Sequence, residues 1–510
     1  MGGPHFGPDV LMNEQQAFRP KARLPRGFKD RDEAEIAAER RMLDTIRRVY
    51  ESYGFAALET SSLEYADALG KFLPDQDRPN EGVFSFADDD GQWLSLRYDL
   101  TAPLARYVAE NFQFLPKPFR RYQVGTVWRN EKPGPGRFRE FTQFDADTVG
   151  SASPAADAEL LMMCADTLEA LGLKRGDYLV KYNSRKVLDG VLDASKVEMQ
   201  KRGAVLRAID KCDRLGVDGV SALLGAGRKD PSGDFTAGAG LSTHAIGNVF
   251  NFMGLGTATS SASTISSSEV TFANFEDATQ GSEIGRQGIA DLKEINRILG
   301  ASNYNTDRIV IDPGIVRGLD YYTGAVFEAQ LTFPVTNEAG ETVVFGSVGG
   351  GGRYDDLVAR FTGQTVPATG FSIGVSRLLT ALKARSGAEA FVTTPLIVVL
   401  VLDKGAIAES FRLARDLREA GFRIEAYVGE SGMKAQLRYA DKRGAAVAVI
   451  EGTDERARGE VTLKDLALGT ELAKSTESRA AWVKDRPAQQ SVPRAKLVET
   501  LHSMLAAKAS

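Results

Sequence analysis

Apolar positions along the chain alternate between helical and strand-like spacing, and the change-over points outline its organisation. Asp32 to Tyr53 is charge-rich with a helical pattern, and Gly54 is a plausible stop. Leu100, Leu104 and Val108 recur in four-residue steps and predict a helix over 100–111. Pro154 to Leu171 reads as a helix with proline in its first turn and Gly172 closing it. Ile289, Leu292, Ile295 and Ile298 mark an amphipathic helix, and Phe371 to Ala384 reads as a long apolar one. Strand-like runs lie at 55–58, 84–86, 94–96, 178–181, 308–311, 326–331 and 343–345. Phe119 to Val149 reads as two strands joined by a loop of alternating proline and glycine, Lys132-Pro133-Gly134-Pro135-Gly136.

Many strands with few intervening helices predict an α+β core with a mainly antiparallel sheet. Residues 184–305 interrupt it with a helical, mixed-charge insertion that contains an uncharged Ser-rich stretch, Met253 to Ser268, read as a surface loop. After Ser386 the pattern becomes strand (396–402), helix (406–420), strand (422–428), helix (433–443), strand (445–450), with a further strand at 461–463 and a terminal helix over 494–508. That alternation predicts a small α/β domain with a mostly parallel sheet. The expected order is an N-terminal arm (1–30), a first core segment (31–183), the insertion (184–305), a second core segment (306–386) and the C-terminal α/β domain (387–510).

Composition narrows the chemistry. A chain of 510 residues exceeds one hydrophobic core. No apolar run approaches the ~18 residues that span a bilayer, so no membrane association is expected. The N-terminus lacks a basic segment followed by an apolar one. The widely spaced Cys164 and Cys212 fit a reducing compartment, and the expected location is the cytoplasm. The three histidines, His5, His244 and His502, stand far from other ligand types and predict no histidine-built metal site. The net charge of −5 argues weakly against nucleic acid, but clustering at one face matters more than the sum.

The densest basic cluster contains Lys117, Arg120, Arg121, Arg129, Lys132, Arg137 and Arg139 against Glu131 alone, with Phe119, Tyr122, Trp128, Phe138 and Phe141 interleaved or just beyond. Strand alternation would place Arg129 and Glu131 on one face, a fork for phosphate beside an acceptor for an amino group. From charge and spacing alone, a solvated basic hairpin is an equal reading. Asp99 and Thr101 read as helix caps or as counter-ions for an ammonium group. Four glycines at 349–352 permit close backbone approach or a tight turn. The string Arg317-Gly318-Leu319-Asp320-Tyr321-Tyr322-Thr323-Gly324 sets a guanidinium, a carboxylate and two phenols between glycines. Neither GxGxxG nor GxxxxGK[ST] occurs in the C-terminal domain.

These strings share an identity. RGLDYYTG resembles a signature of the histidyl-tRNA synthetases. VWRNEKPGPGRFREFTQF is similar to the second motif of class II aminoacyl-tRNA synthetases, and LRYDLT, GGGGRYD and GFSIGVSRL resemble further blocks of the same family in the expected order. MKAQLRYADKRGAAVAVIEG resembles the family's anticodon-binding domain. Ser61 stands where the first motif usually has proline, Asp147 where glutamate is frequent, and Ser376 where glutamate usually precedes Arg377. The resemblance implies ATP-dependent activation of L-histidine and its transfer to tRNA(His), with Mg2+ as cofactor and a homodimer as the assembly. It implies Arg129 and Arg317 as catalytic residues. Histidine would be bound by Asp99, Leu100, Thr101, Arg129, Gln143, Asp147, Arg317, Tyr321, Tyr322 and Tyr354, and ATP by Arg129, Glu131, Arg137, Phe141 and Arg377. No side chain is assigned to a metal. The alternatives are a non-catalytic regulatory paralogue of the type that assists ATP phosphoribosyltransferase, and a module binding uncharged tRNA.

Overall fold

The computed structural model describes residues 20–72, 82–134, 137–229, 233–255, 267–305, 307–316, 321–336, 342–386, 394–466, 468 and 488–506. Arg317 and Asp320, the first nineteen residues with His5, and most of the Ser-rich stretch lie outside them. The chain divides into two compact units, Met1–Ala390 and Phe391–Ser510.

The first unit is built on an eight-stranded sheet: β1 (Ala56–Ala57), β2 (Phe119–Trp128), β3 (Glu140–Val149), β4 (Tyr178–Ser184), β5 (Ile309–Ile311), β6 (Ala325–Leu331), β7 (Ser347–Arg353) and β8 (Ala368–Gly374). Their order is β1-β2-β3-β8-β7-β6-β4-β5. The five inner pairings are antiparallel and the two outermost are parallel, as the sequence pattern predicts for the core. The glycine run of β7 is neither a turn nor a loop. It is a central strand, paired with β6 on one side and β8 on the other.

Helix α1 (Glu33–Ser52) starts at Asp32, whose side chain accepts from the Glu35 amide, and buries Ala38, Met42, Ile46 and Tyr50 at four-residue steps. Tyr50 meets Phe144 of β3 edge-on at 5.0 Å, which seats the helix on one face of the sheet. Helix α2 (Thr101–Asn111) buries Leu104, Ala105 and Val108 against Val149 and Tyr354. Helix α3 (Pro154–Ala170) begins with Ser153 as cap and the predicted proline in the first turn. Helices follow β4 between Arg185 and Ala301, and the last of them, Glu283–Ala301, buries Ile289, Leu292 and Ile295 as the pattern predicts.

One expected helix is corrected. Phe371–Gly374 belongs to β8, and the helix α4 begins at Val375 and ends at Ser386. Phe371 and Ile373 are buried by neighbouring strands, and a doubly covered strand lacks the alternation that distinguishes it from a buried helix.

The second unit holds a five-stranded sheet: β9 (Leu396–Val399), β10 (Arg423–Ala426), β11 (Val447–Ile450), β12 (Glu460–Asp465) and β13 (Gln489–Pro493), in the order β10-β9-β11-β12-β13. β9 pairs parallel with β10 and β11, while β11/β12 and β12/β13 are antiparallel. The expected mostly parallel sheet is therefore mixed. The connection from β11 to β12 carries only a short helix (Thr453–Arg458) and reverses the chain direction. His502 stacks near Phe422, with ring centroids 4.5 Å apart, which is a packing role.

Candidate active site

Register across β2, β3 and β8 assembles the floor of the site. Arg121, Asp147 and Gly370 are aligned across the three strands; so are Gln123, Asp145 and Ser372, and then Gly125, Gln143 and Gly374. Gln143, Asp145 and Asp147 are alternate residues of one strand and share a face. All three are buried, as is Arg121, which is fully inaccessible.

Arg121 Nη2 donates to the carbonyl of Leu100 at 2.9 Å and lies 2.9 Å from Asp147 Oδ2. The second approach is an ion pair without hydrogen-bond alignment, so Asp147 Oδ2 has no aligned donor among the described residues. The hydroxyl of Tyr354 donates a short hydrogen bond to Asp147 Oδ1. A Cβ at position 370 would lie 1.9 Å from Asp147 Oδ1, so only glycine leaves room for this carboxylate. Gln143 donates to Ser372 Oγ at 2.8 Å, which leaves its Oε1 buried without a partner among the described residues. Asp145 Oδ1 is in the same condition.

Burial raises the Asp145 carboxyl to about 7, helped by repulsion from Asp147 and opposed by Arg121 and the Ser372 hydroxyl. Burial likewise raises Asp147, against the pull of Arg121 and the Tyr354 hydrogen bond. Two buried carboxyls two residues apart on one strand face resist double ionisation, which is the usual cause of such behaviour.

Asp99 Oδ1 accepts from the amides of Thr101 (3.2 Å) and Ala102 (2.9 Å), so it caps the start of α2. The capping reading therefore holds. It occupies one carboxylate oxygen and is compatible with a second partner on the other. Tyr321, Tyr322 and Tyr354 form an aromatic wall: Tyr321 meets Tyr322 edge-on at 5.2 Å and Tyr354 at 5.7 Å. A side chain at Gly352 would strike the Tyr322 ring at 2.9 Å, so the glycine run lets this ring lie against the sheet. Burial, then the nearby Asp99, pushes the Tyr321 phenol far up, which keeps it protonated.

The basic hairpin forms a second group. β2 ends at Trp128, so Arg129 and Glu131 lie beyond the strand, contrary to the expected strand face. Tyr98 joins them instead. Its hydroxyl donates to Glu131 at 3.0 Å, and the Arg129 guanidinium lies 4.3 Å from its ring and 5.1 Å from the ring of Phe141. Arg137 is exposed and pairs its backbone with Gly134 across the loop. Arg377 donates to the carbonyl of Phe345, and Ser376 Oγ accepts from the Thr142 amide at 3.0 Å. The arm is docked where it is described: the Arg139 amide donates to Gly27 O at 2.8 Å.

The structure thus clusters Asp99, Thr101, Asp147, Tyr321, Tyr322 and Tyr354, with Leu100 joined through Arg121 and Gln143 on the same strand face as Asp147, and it groups Arg129, Glu131 and Phe141 around Tyr98. Sequence reasoning missed Arg121 as a partner of Asp147, the buried Asp145, and Tyr98. The run Gln143-Phe144-Asp145-Ala146-Asp147 did carry a signal: polar residues at every second position of an apolar strand. No group of three or more His, Cys, Asp or Glu able to hold a metal occurs among the described residues.

The family model described as histidyl-tRNA synthetase matches residues 27–378, and the one described as anticodon binding domain matches residues 396–503. A histidine–tRNA ligase of Brucella abortus (strain S19) is 56% identical over 500 residues, covering 97% of this chain and 98% of that protein. The histidine–tRNA ligase of Caulobacter vibrioides is 53% identical over 489 residues, 96% of this chain and 97% of its own. The crystal structure of histidyl-tRNA synthetase from Nostoc sp. PCC 7120 superposes with a TM-score of 0.69 at 27% identity, covering 95% of this chain and 100% of that one. A Bacillus halodurans structure described as an ATP phosphoribosyltransferase regulatory subunit/histidyl-tRNA synthetase shares the fold, with a TM-score of 0.63 at 21% identity over 82% of this chain and 97% of its own.

Proposed function

The chain belongs to the histidyl-tRNA synthetase family and is a histidine–tRNA ligase using ATP, and we propose that the pocket around Asp99, Asp147 and Tyr354 receives the histidine. The observation that carries this assignment is the buried Gln143 Oε1, which the described residues leave without a donor, on the same strand face as an Asp147 carboxylate held by Tyr354 and Arg121. Histidine brings an ammonium with three donors and a ring N–H. Asp99 and Thr101 take the ammonium; Gln143 and Asp147 line the histidine site, and Tyr321, Tyr322 and Tyr354 shape its imidazole end.

A carboxylate oxygen of the substrate attacks the α-phosphorus of ATP. The new C–O–P link forms as the bond to the β-phosphate oxygen breaks, giving histidyl-adenylate and pyrophosphate. Negative charge grows on the α-phosphoryl oxygens, so fixed cations there lower the barrier. Arg129 and Arg317 take this role. Phe141 stacks on the adenine, Glu131 accepts from its amino group, and Arg137 and Arg377 hold the departing pyrophosphate. A terminal ribose hydroxyl of tRNA(His) then attacks the adenylate carbonyl and AMP leaves; an adenylate phosphate oxygen takes the hydroxyl proton. Mg2+ would accompany ATP and would supply charge neutralisation at the phosphates. The described residues offer it no cluster of ligands, and no step is assigned to it.

A homodimer is part of the same reading. Leu63, Tyr65 and Phe86 are exposed on one face of a small three-stranded sheet, the kind of apolar patch a second copy covers. The place of action is the cytoplasm; no helix among the described residues is long and apolar enough to cross a membrane.

Histidine-dependent ATP–pyrophosphate exchange with purified protein tests the proposal. Arg129→Ala and Arg317→Ala are each expected to reduce exchange by about two orders of magnitude or more while melting as wild type does. Absence of exchange in the wild type would overturn the reading. Near-normal exchange in a folded Arg317→Ala would remove that residue from the mechanism.

A further inference from the structure

Asp145 has no role in the mechanism above, yet it lies between Gln143 and Asp147 on the floor of the proposed histidine pocket. It is 2% exposed, and its Oδ1 is buried without a hydrogen-bond partner among the described residues. A bare buried carboxylate oxygen is costly to keep, since an unmet acceptor forfeits its hydration. Two alternate residues of β3 leave an acceptor without a partner among the described residues, Gln143 Oε1 and Asp145 Oδ1, while Asp147 Oδ2 meets only the Arg121 guanidinium, at 2.9 Å. The charged groups around Asp145 are Asp147 on its own strand, Arg121 on β2, Asp99 before α2 and Arg97, while the Tyr50 phenol feels it from α1. Arg97 is already engaged by the carbonyls of Thr126 (2.8 Å) and Thr60 (2.9 Å), and Arg121 by Leu100 O and Asp147.

We propose that Asp145 is a further specificity-determining residue of the histidine pocket, its Oδ1 accepting a hydrogen bond from an N–H of the bound amino acid. The proposal rests on the pocket assignment made above. It has a proton-linked consequence. The carboxyl that burial and Asp147 hold at about 7 without substrate is drawn into its ionised, accepting form by the substrate's donor. Histidine affinity then falls as pH drops below neutrality for a reason that belongs to the enzyme. The ring of free histidine also titrates near ~6.5, but that contribution is the same for any variant.

The test is steady-state exchange with wild type and Asp145→Asn from pH 5.5 to 8.5. The amide is expected to raise the KM for histidine at least tenfold at pH 8, to leave the KM for ATP within twofold, and to remove the enzyme's share of the pH dependence. The removed share is read as the ratio of the two histidine KM values, which is expected to grow with pH. Asp145→Ala serves as the second variant and is expected to behave alike. An unchanged histidine KM in a folded variant overturns the proposal, and so does a pH-independent ratio. Loss of folding in both variants also overturns it, by making Asp145 a scaffold residue. If wild type shows no histidine-dependent exchange, the failure belongs to the pocket assignment and not to Asp145.

Discussion

Tyr354 reaches across the sheet to donate its hydroxyl to Asp147 Oδ1, joining the residue that follows the glycine-rich strand to the floor of the proposed histidine pocket. Tyr354→Phe keeps the ring against Tyr321 but removes the donor. A hydrogen bond to a charged buried group contributes about 1.5–3 kcal/mol. The expected outcome is a tenfold to hundredfold rise in the KM for histidine, with the KM for ATP little changed, in exchange kinetics. An unchanged histidine KM would show that Asp147 does not need this donor.

Gly370 faces the same carboxylate. In Gly370→Ala the new Cβ would lie 1.9 Å from Asp147 Oδ1 and 2.7 Å from its Cγ, so the carboxylate must move. Overpacking at such a site costs about 1–3 kcal/mol. Exchange should fall by more than the loss of stability explains, with the histidine KM rising first. Wild-type kinetics in this variant would contradict the geometry of the pocket floor.

Arg353 anchors the end of β7 to the start of α3. It donates to Asp157 Oδ2 at 2.6 Å and to the carbonyls of Ser151 (2.8 Å) and Ser153 (3.1 Å). Arg353→Met leaves Asp157 buried without its counter-ion, for which a cost of about 3–5 kcal/mol is expected. Asp157→Asn should cost less, because the amide oxygen still accepts and both carbonyls still hold the guanidinium. Urea unfolding measures both; equal losses would mean that the ion pair itself contributes little.

Stability should also depend on pH through Asp145. Its folded-state carboxyl titrates at about 7, against ~3.9 for an unfolded aspartate. Between those values the folded chain holds a proton that the unfolded chain has lost. The associated stability is complete below pH ~4 and lost as pH rises through about 7. Asp145→Asn removes this titration, so its melting temperature relative to wild type should increase from pH 5 to pH 8. A constant difference would mean that Asp145 does not titrate in this range.

The helices of the core were legible because each has a local signature. Asp32 and Ser153 cap, Pro154 starts a first turn, and Leu104 and Val108 repeat one turn apart. Phe371–Gly374 was not legible as a strand, because burial on both faces erases the period-two signal that marks one. Arg121 stood in the sequence as one more member of a basic cluster. It became a buried partner of Asp147 only because β2 and β3 pair in the register that sets residue 121 opposite residue 147.

By itself the sequence determined the enzyme family and the amino acid, since RGLDYYTG, the basic hairpin and LRYDLT are contiguous strings whose resemblance to the histidyl-tRNA synthetase motifs does not depend on how they pack. Only the tertiary structure decided which groups share a pocket. Strand register aligned Asp147 with Gly370 and Asp145 with Ser372, and burial then decided how the two carboxyls hold their protons. Register and burial are properties of residues far apart in the chain, here 145 and 372 or 147 and 354, and no local pattern encodes them.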